Sequence, residues 1–309
     1  MDDNPRIAVL IPCHNEAATV GKVIDDFRAQ LPAAKIYVFD NCCTDDTASI
    51  ASGHGATVII EPRKGKGFVI EAMLDRVDAD CYVMVDGDDT YQAASVNDLL
   101  APVLAGQADM TVGARLMEYD PAKAFRPLHV AGNNLVRGLI NWVFGAKLTD
   151  IMSGYRAFNR RVAQRVPVVS SGFEVETELT IQMLYYRLKI VEVPAPYRGR
   201  PEGSVSKLRT FRDGIRVLWK IFSLFRAIKP LTFFGGIGLV LLMLGVAVGL
   251  RPVYDYATTG QVPRQPSAIL AVGLVVLSGG CVFLGVLLHA INWRFKELHN
   301  VLTRGTGNR

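Results

Sequence analysis

Several signatures that would settle the reading of this chain early are missing from it. No G-x-G-x-x-G follows the first strand-like run, Ile7 to Ile11, so a Rossmann dinucleotide site is not supported. The five cysteines, Cys13, Cys42, Cys43, Cys81 and Cys281, show no C-x-x-C spacing and no nearby histidine pair. That leaves zinc without a ligand set and points to free thiols in a reducing compartment. No stacking aromatics interleave a basic groove, so the net charge of +5 is not a nucleic-acid footprint. The opening stretch, Met1-Asp2-Asp3-Asn4-Pro5-Arg6, is acidic and runs directly into a strand, so the N-terminal domain is expected to stay in the cytosol. There is no internal repeat and no low-complexity tract.

Over residues 1 to about 115, strand and helix signals alternate. Strands are expected at Ile7 to Ile11, Ile36 to Phe39, Thr57 to Ile60, Cys81 to Val85 and Met110 to Val112, with helices at Ala17 to Gln30, Thr44 to Gly53, Lys66 to Val77 and Val96 to Leu104. Short strands separated by helices imply an α/β fold with a mostly parallel sheet, wound like a nucleotide-binding domain. The alternation then breaks. Helices are expected at Leu128 to Phe144 and Glu174 to Tyr186, a loop and strand over Asp150 to Phe158, and a strand at Ile190 to Val193.

Apolar residues make up 50% of the 309, and the excess lies near the C-terminus. Leu231 to Leu250 and Gln265 to Trp293 hold no Asp, Glu, Lys or Arg. Each reaches the roughly 20 residues that a helix needs to cross a bilayer. With the polar connector Arg251 to Arg264 they read as a transmembrane hairpin over 230–309, spanning at about 231–250 and 267–292. Basic residues crowd the two outer flanks, Arg209 to Lys229 and Arg294 to Arg309, so both ends are expected on the cytoplasmic side of an inner or plasma membrane. Just before the hairpin, Leu208, Phe211, Ile215, Leu218, Phe222 and Phe225 recur at helical spacing beside Arg209, Arg212, Arg216 and Lys220. This predicts an amphipathic interfacial helix over 208–229, after a catalytic domain of 1–207. Gly235-Gly236, Gly238 and Gly279-Gly280 permit close packing between spans or between protomers of a homo-oligomer.

Chemistry concentrates where the buried run Cys81 to Val85 empties into Asp86, Asp88 and Asp89. Carboxylates at the carboxyl end of a strand repel one another unless a cation joins them. A hard divalent ion, Mg²⁺ or Mn²⁺, held by Asp88 and Asp86 and bridging to a nucleotide diphosphate, accounts for them; a solvated acidic turn is the alternative. Pro12, Asn15 and Glu16 leave the first strand where they could meet a nucleoside or cap the next helix, and Asp40 ends the second strand in an equivalent place. Arg63-Lys64-Gly65-Lys66-Gly67 opens a helix, a setting that suits an anion, although a solvated basic turn fits as well. Glu174, Glu176 and Glu178 suit the helix dipole.

Taken together, Ile11 to Glu16, Asp40 to Thr47, Val83 to Thr90, Asp150 to Arg156 and Arg200 to Leu208 resemble, in order, the GT-A family 2 glycosyltransferases, and within them the polyprenyl-phosphate sugar synthases of the dolichyl-phosphate mannose synthase type. The resemblance implies nucleoside contacts at Pro12, Asn15, Glu16 and Asp40, donor contacts at Lys66, Asp86, Arg200, Ser206 and Lys207, and metal ligands at Asp86 and Asp88. It places Asp150 close to the reacting centre, as a general base or as a residue that orients Arg156. Arg115, Arg126 and Arg156 are candidates to hold the acceptor phosphate, since arginine grips phosphate bidentately. Asn41, Cys42 and Cys43 stand where relatives usually carry Asp, Gly and Ser, and Thr90 stands where many carry Gln.

The implied activity is metal-dependent, inverting transfer of a sugar from a nucleotide sugar to a polyprenyl phosphate. A UDP-sugar is favoured, with GDP-mannose as the other donor. Two further readings stay open: a processive polysaccharide synthase, whose Q-x-x-R-W motif and extra spans are missing here, and a silent nucleotide-sugar-binding membrane scaffold.

Overall fold

The computed structural model describes residues 5–117, 127–172, 174–199, 201, 219 and 222–306. They divide into two compact units, 1–219 and 220–309.

The first unit is built on a seven-stranded mixed sheet in the order β3-β2-β1-β4-β6-β5-β7. Its strands are β1 (Ile7–Cys13), β2 (Lys35–Asp40), β3 (Thr57–Ile60), β4 (Cys81–Met84), β5 (Met110–Met117), β6 (Arg156–Asn159) and β7 (Ile190–Tyr197). Neighbours pair in parallel except at β6, which runs antiparallel to both β4 and β5. β1 is apolar almost throughout because helices cover both faces of the sheet. Its side chains alternate accordingly. Val9 and Ile11 pack with Val20, Ile24 and Phe27 of α1 (Val20–Gln30) and with Val96 and Leu100 of α4 (Val96–Leu104). Ala8 and Leu10 face the other way, toward Val69 and Met73 of α3 (Lys66–Arg76) and Leu179 and Met183 of α7 (Val175–Tyr185). The remaining helices are α2 (Thr47–Gly53), α5 (Pro127–Phe144) and α6 (Arg160–Arg165).

Register gathers the functional ends. Cys13 lies opposite Asp40 and Leu10 opposite Met84, so β1, β2 and β4 release their chains side by side at the carboxyl edge. Met84 also faces Arg156 across the antiparallel pair, which carries the Ser153 to Tyr155 segment past the end of β4. Several strands outrun their expected limits, β5 and β7 the furthest: β5 continues to Met117 and β7 to Tyr197, with Pro194 and Pro196 inside the latter. β7 lies at the sheet edge, where a residue without an N–H costs no ladder bond on the open side.

In the second unit, residues 222–228 are helical, and two long apolar helices follow, Pro230–Thr259 and Gln265–Thr306. The first overruns the expected connector: it continues through Pro252 and stops at Gly260, whose φ of 70° suits a left-handed helix terminator. The two pack through Gly238, whose carbonyl accepts a 2.8 Å hydrogen bond from buried Ser278 Oγ. Much of their leucine, valine and phenylalanine surface is exposed, as suits helices that associate with a membrane. The amphipathic helix expected over 208–229 falls mostly outside the described residues.

Candidate active site

The acidic turn is shaped by bonds within it and behind it. Thr90 donates from Oγ1 to Asp88 Oδ1 at 2.6 Å and from its N–H to the same oxygen at 3.3 Å, so the threonine found in place of glutamine fixes the rotamer of buried Asp88. Gly87 has no room for a side chain: a Cβ there would lie 2.7 Å from Cys13 Sγ. Gly154 is constrained from the other side, since its Cβ would fall 2.4 Å from Asp86 Oδ2. The Ser153-Gly154-Tyr155 segment is therefore the floor under Asp86.

The chain supplies cations for this turn. Lys66 Nζ lies 2.5 Å from Asp86 Oδ1 and 2.5 Å from Glu176 Oε1. Burial on its own would lower the pKa of Lys66, but the charges of Asp86 and Glu176 outweigh it and the net shift is upward. Glu176, expected to serve only the helix dipole, belongs instead to this ionic group. Asp86 and Asp88 offer hard oxygen donors from a single turn, and Gly154 leaves room for the Asp86 carboxylate itself, so the site fits Mg²⁺ or Mn²⁺. Among the described residues no cluster of three or more metal-ligating side chains occurs.

Pro12, Asn15, Glu16 and Asp40 do converge: Pro12 and Asp40 lie at the carboxyl ends of β1 and β2, and Asn15 and Glu16 on the loop leaving β1. Asn15, with φ 55°, accepts from Thr44 N–H at 2.7 Å and donates from Nδ2 to Thr44 Oγ1 at 3.1 Å, tying one loop to the other. Asp40 Oδ1 accepts from Cys43 N–H at 2.7 Å, and Glu16 N–H donates to Thr47 Oγ1 at 2.9 Å. Burial pushes the Cys43 thiol up to about 11, so it stays protonated and unreactive.

Asn41 has a structural place. Its amide donates to the carbonyls of Glu61 and Arg63 and accepts from Gly65 N–H, so it fastens the loop before α3. At the start of α3, Gly65 N–H goes to Asn41, Gly67 N–H goes to the Ser171 carbonyl, and Lys66 supplies positive charge.

Arg115 and Asp150 form a bidentate fork, Nε to Oδ2 at 2.7 Å and Nη2 to Oδ1 at 2.9 Å. Glu192 secures the backbone of Asp150 by accepting its N–H at 2.7 Å. Burial would raise the Asp150 pKa, but Arg115 and the N–H groups of Arg115 and Met152 prevail and hold it below the usual carboxylate range. Such a carboxylate is a poor general base. The sequence reading of Asp150 is thus corrected: the residue that it orients is Arg115, not Arg156. Arg156 is corrected too. It is 0% exposed, and its donors go to the carbonyls of Ser153, Ile151 and Glu176 and to Thr180 Oγ1, so it braces the floor of the site and cannot meet a lipid phosphate. Arg126, Arg200, Ser206 and Lys207 lie outside the described residues.

Comparison with known proteins agrees with this geometry. The family model described as glycosyl transferase family 2 matches residues 8–166. Glycosyltransferase AglJ of Haloferax volcanii is 30% identical over 282 residues, 91% of this chain and 92% of that protein. The dolichyl-phosphate hexose transferase of the same organism is 29% identical over 212 residues, 68% of this chain and 90% of that protein. Among solved structures, glucosyl-3-phosphoglycerate synthase from Mycobacterium tuberculosis, in complex with Mn²⁺, UDP-glucose and phosphoglyceric acid, shares the fold with a TM-score of 0.58 at 23% identity, covering 71% of this chain and 79% of that one. An α/β sheet with an acidic turn at its carboxyl edge, in a chain matched by that family over half of its length, makes this chain a member of glycosyl transferase family 2, and so a glycosyltransferase.

Proposed function

We propose that this glycosyltransferase moves a sugar from a nucleoside-diphosphate sugar, a UDP-sugar rather than GDP-mannose, onto the phosphate of a polyprenyl lipid such as undecaprenyl or dolichyl phosphate, with inversion at the anomeric carbon. The observation that carries the reading is the Arg115–Asp150 fork. Its carboxylate is committed to a cation and held below the usual range, which suits an acceptor that arrives already ionised and needs no base. A sugar hydroxyl would need a base; a lipid phosphate would not.

In this mechanism the lipid phosphate oxygen forms a bond to the anomeric carbon as the bond from that carbon to the donor diphosphate breaks. Pro12, Asn15, Glu16 and Asp40 line the nucleoside side, Lys66 and Asp86 the diphosphate and sugar, and Arg200, Ser206 and Lys207 supply further donor contacts. Arg115, oriented by Asp150, and Arg126 receive the acceptor phosphate. When bound at Asp86 and Asp88, Mg²⁺ or Mn²⁺ would neutralise charge developing on the departing diphosphate. The dolichyl-phosphate acceptor and the Mn²⁺ and UDP-glucose donor named for the two relatives support this choice.

The apolar helices would anchor the enzyme as a hairpin, with catalytic domain 1–207, interfacial helix 208–229 and hairpin 230–309, both termini cytoplasmic where the basic flanks lie. The test is incubation of the purified protein with a panel of nucleotide sugars, Mn²⁺ and undecaprenyl phosphate, with mass spectrometry of the lipid fraction. One sugar per lipid is expected, and Asp88→Asn should abolish it. Polymer formation, donor binding without any lipid product, or full activity of Asp88→Asn would each refute the assignment.

A further inference from the structure

The turn from Asp86 to Asp89 has to send adjacent carboxylates in different directions, and α1 takes part in doing so. Asp89 has φ 56°, in the left-handed region that is disfavoured for a residue with a Cβ, although aspartate tolerates it better than most. Its carboxylate is met by α1, where Lys22 Nζ lies 2.9 Å from Oδ1. Lys22 is itself steadied by Asp26, one turn along the helix, at 2.6 Å. Just before α1 begins, Thr19 Oγ1 donates to the Gly87 carbonyl at 2.6 Å. Lys22 and Asp89 both border a cavity of about 240 Å³ that is also lined by Asp26, Tyr91, Gln92 and Arg198. On the side of Asp89 that borders this cavity, the ionic contact with Lys22 is what meets its carboxylate.

We propose that Lys22 is a positioning residue for the divalent-ion site: by holding Asp89 toward α1 it keeps the intervening peptides in the conformation that aims Asp86 and Asp88 at the ion. This rests on the reading of Asp86 and Asp88 as the ion's holders. Without Lys22, Asp89 loses the contact that holds its carboxylate toward α1, and the Asp88–Asp89 peptide is free to turn. The side chain of Lys22 is half exposed, so its removal should leave the fold intact.

The experiment measures Mn²⁺ binding in the presence of UDP by electron paramagnetic resonance, alongside the Mn²⁺ dependence of sugar transfer and the melting temperature. Lys22→Ala should weaken Mn²⁺ binding about tenfold, the usual scale for a residue one step removed from a metal, and transfer at saturating Mn²⁺ should stay within about twofold. Lys22→Arg should recover most of the affinity. Asp89→Asn, which keeps a side chain that tolerates positive φ, should reproduce Lys22→Ala, and the double variant should bind Mn²⁺ no more weakly than Asp89→Asn alone. Wild-type Mn²⁺ affinity in Lys22→Ala, or a loss that follows the melting temperature and is not recovered by arginine, would overturn the proposal. Asp88→Asn separates the two levels: if it abolishes Mn²⁺ binding while Lys22→Ala does not change it, the Lys22 role alone fails; if it binds Mn²⁺ normally, the ion-site reading fails and the Lys22 role with it.

Discussion

Lys66 Nζ stands between two carboxylates, 2.5 Å from Asp86 Oδ1 and 2.5 Å from Glu176 Oε1, and so joins the start of α3 to the acidic turn and to α7. Lys66→Met would leave two mostly buried acids facing one another. A loss of about 3 kcal/mol is expected, in the range for breaking a buried pair by removing one partner. Thermal denaturation of the detergent-solubilised protein measures it. Adding Glu176→Gln to Lys66→Met should recover part of the loss, because one of the stranded charges is then gone; no recovery would mean that the two acids are not coupled through Lys66.

Gly154→Ala should act on Asp86 alone. The new Cβ would lie 2.4 Å from Asp86 Oδ2, and the carboxylate has to swing away. Sugar transfer should fall roughly 10- to 100-fold, the scale for disturbing a ligand's support, with a circular-dichroism spectrum like that of the wild type. Mn²⁺ titration of the purified variant shows whether the loss lies in ion binding, as expected.

Arg156 should prove structural. Its removal takes a charged donor from the carbonyls of Ser153, Ile151 and Glu176, of which the last two keep Thr180 Oγ1. Arg156→Met should destabilise the first unit by roughly 4 kcal/mol, summed over the buried acceptors that lose a charged donor. The affinity for lipid phosphate in whatever folded fraction remains should be unchanged, and equilibrium binding to the purified folded species checks this.

The fork at Arg115 gives a pH dependence with a definite sign. The Asp150 pKa is lowered in the folded protein, so the stability that it contributes is complete above the unfolded carboxylate value and is lost as pH falls through the lower folded one. The stability gap between wild type and Asp150→Asn should therefore be widest near neutrality and close in acid. Melting temperatures from pH 7 down to pH 3 measure it. A gap that widened in acid would mean that Asp150 is protonated in the folded state at neutral pH.

Much of this architecture could be read from local sequence. The Ile7 to Ile11 and Cys81 to Val85 runs announce strands buried on both faces, and the acids that follow lie at the carboxyl edge because strand direction in βαβ units requires it. The two uncharged runs near the C-terminus declare themselves by length alone, although the helical reach of the first past Pro252 to Thr259 does not. Thr90 gave a weaker signal: two positions after Asp88 is the spacing at which a hydroxyl and an N–H can both reach the carboxylate.

By itself, then, the sequence determined the alternation of elements, the apolar helices and the place of the acidic turn, because each depends on neighbours within a few residues. Only the tertiary structure decided which charges meet. Lys66 with Glu176, Arg115 with Asp150, and Arg156 with the carbonyls beneath Asp86 are brought together by the antiparallel insertion of β6 between β4 and β5 and by the packing of α7 on the sheet. Hydrophobic periodicity specifies which face of an element is buried, but not the partner that a buried charge will find there. That choice follows from register, and register is set by contacts between segments distant in the chain.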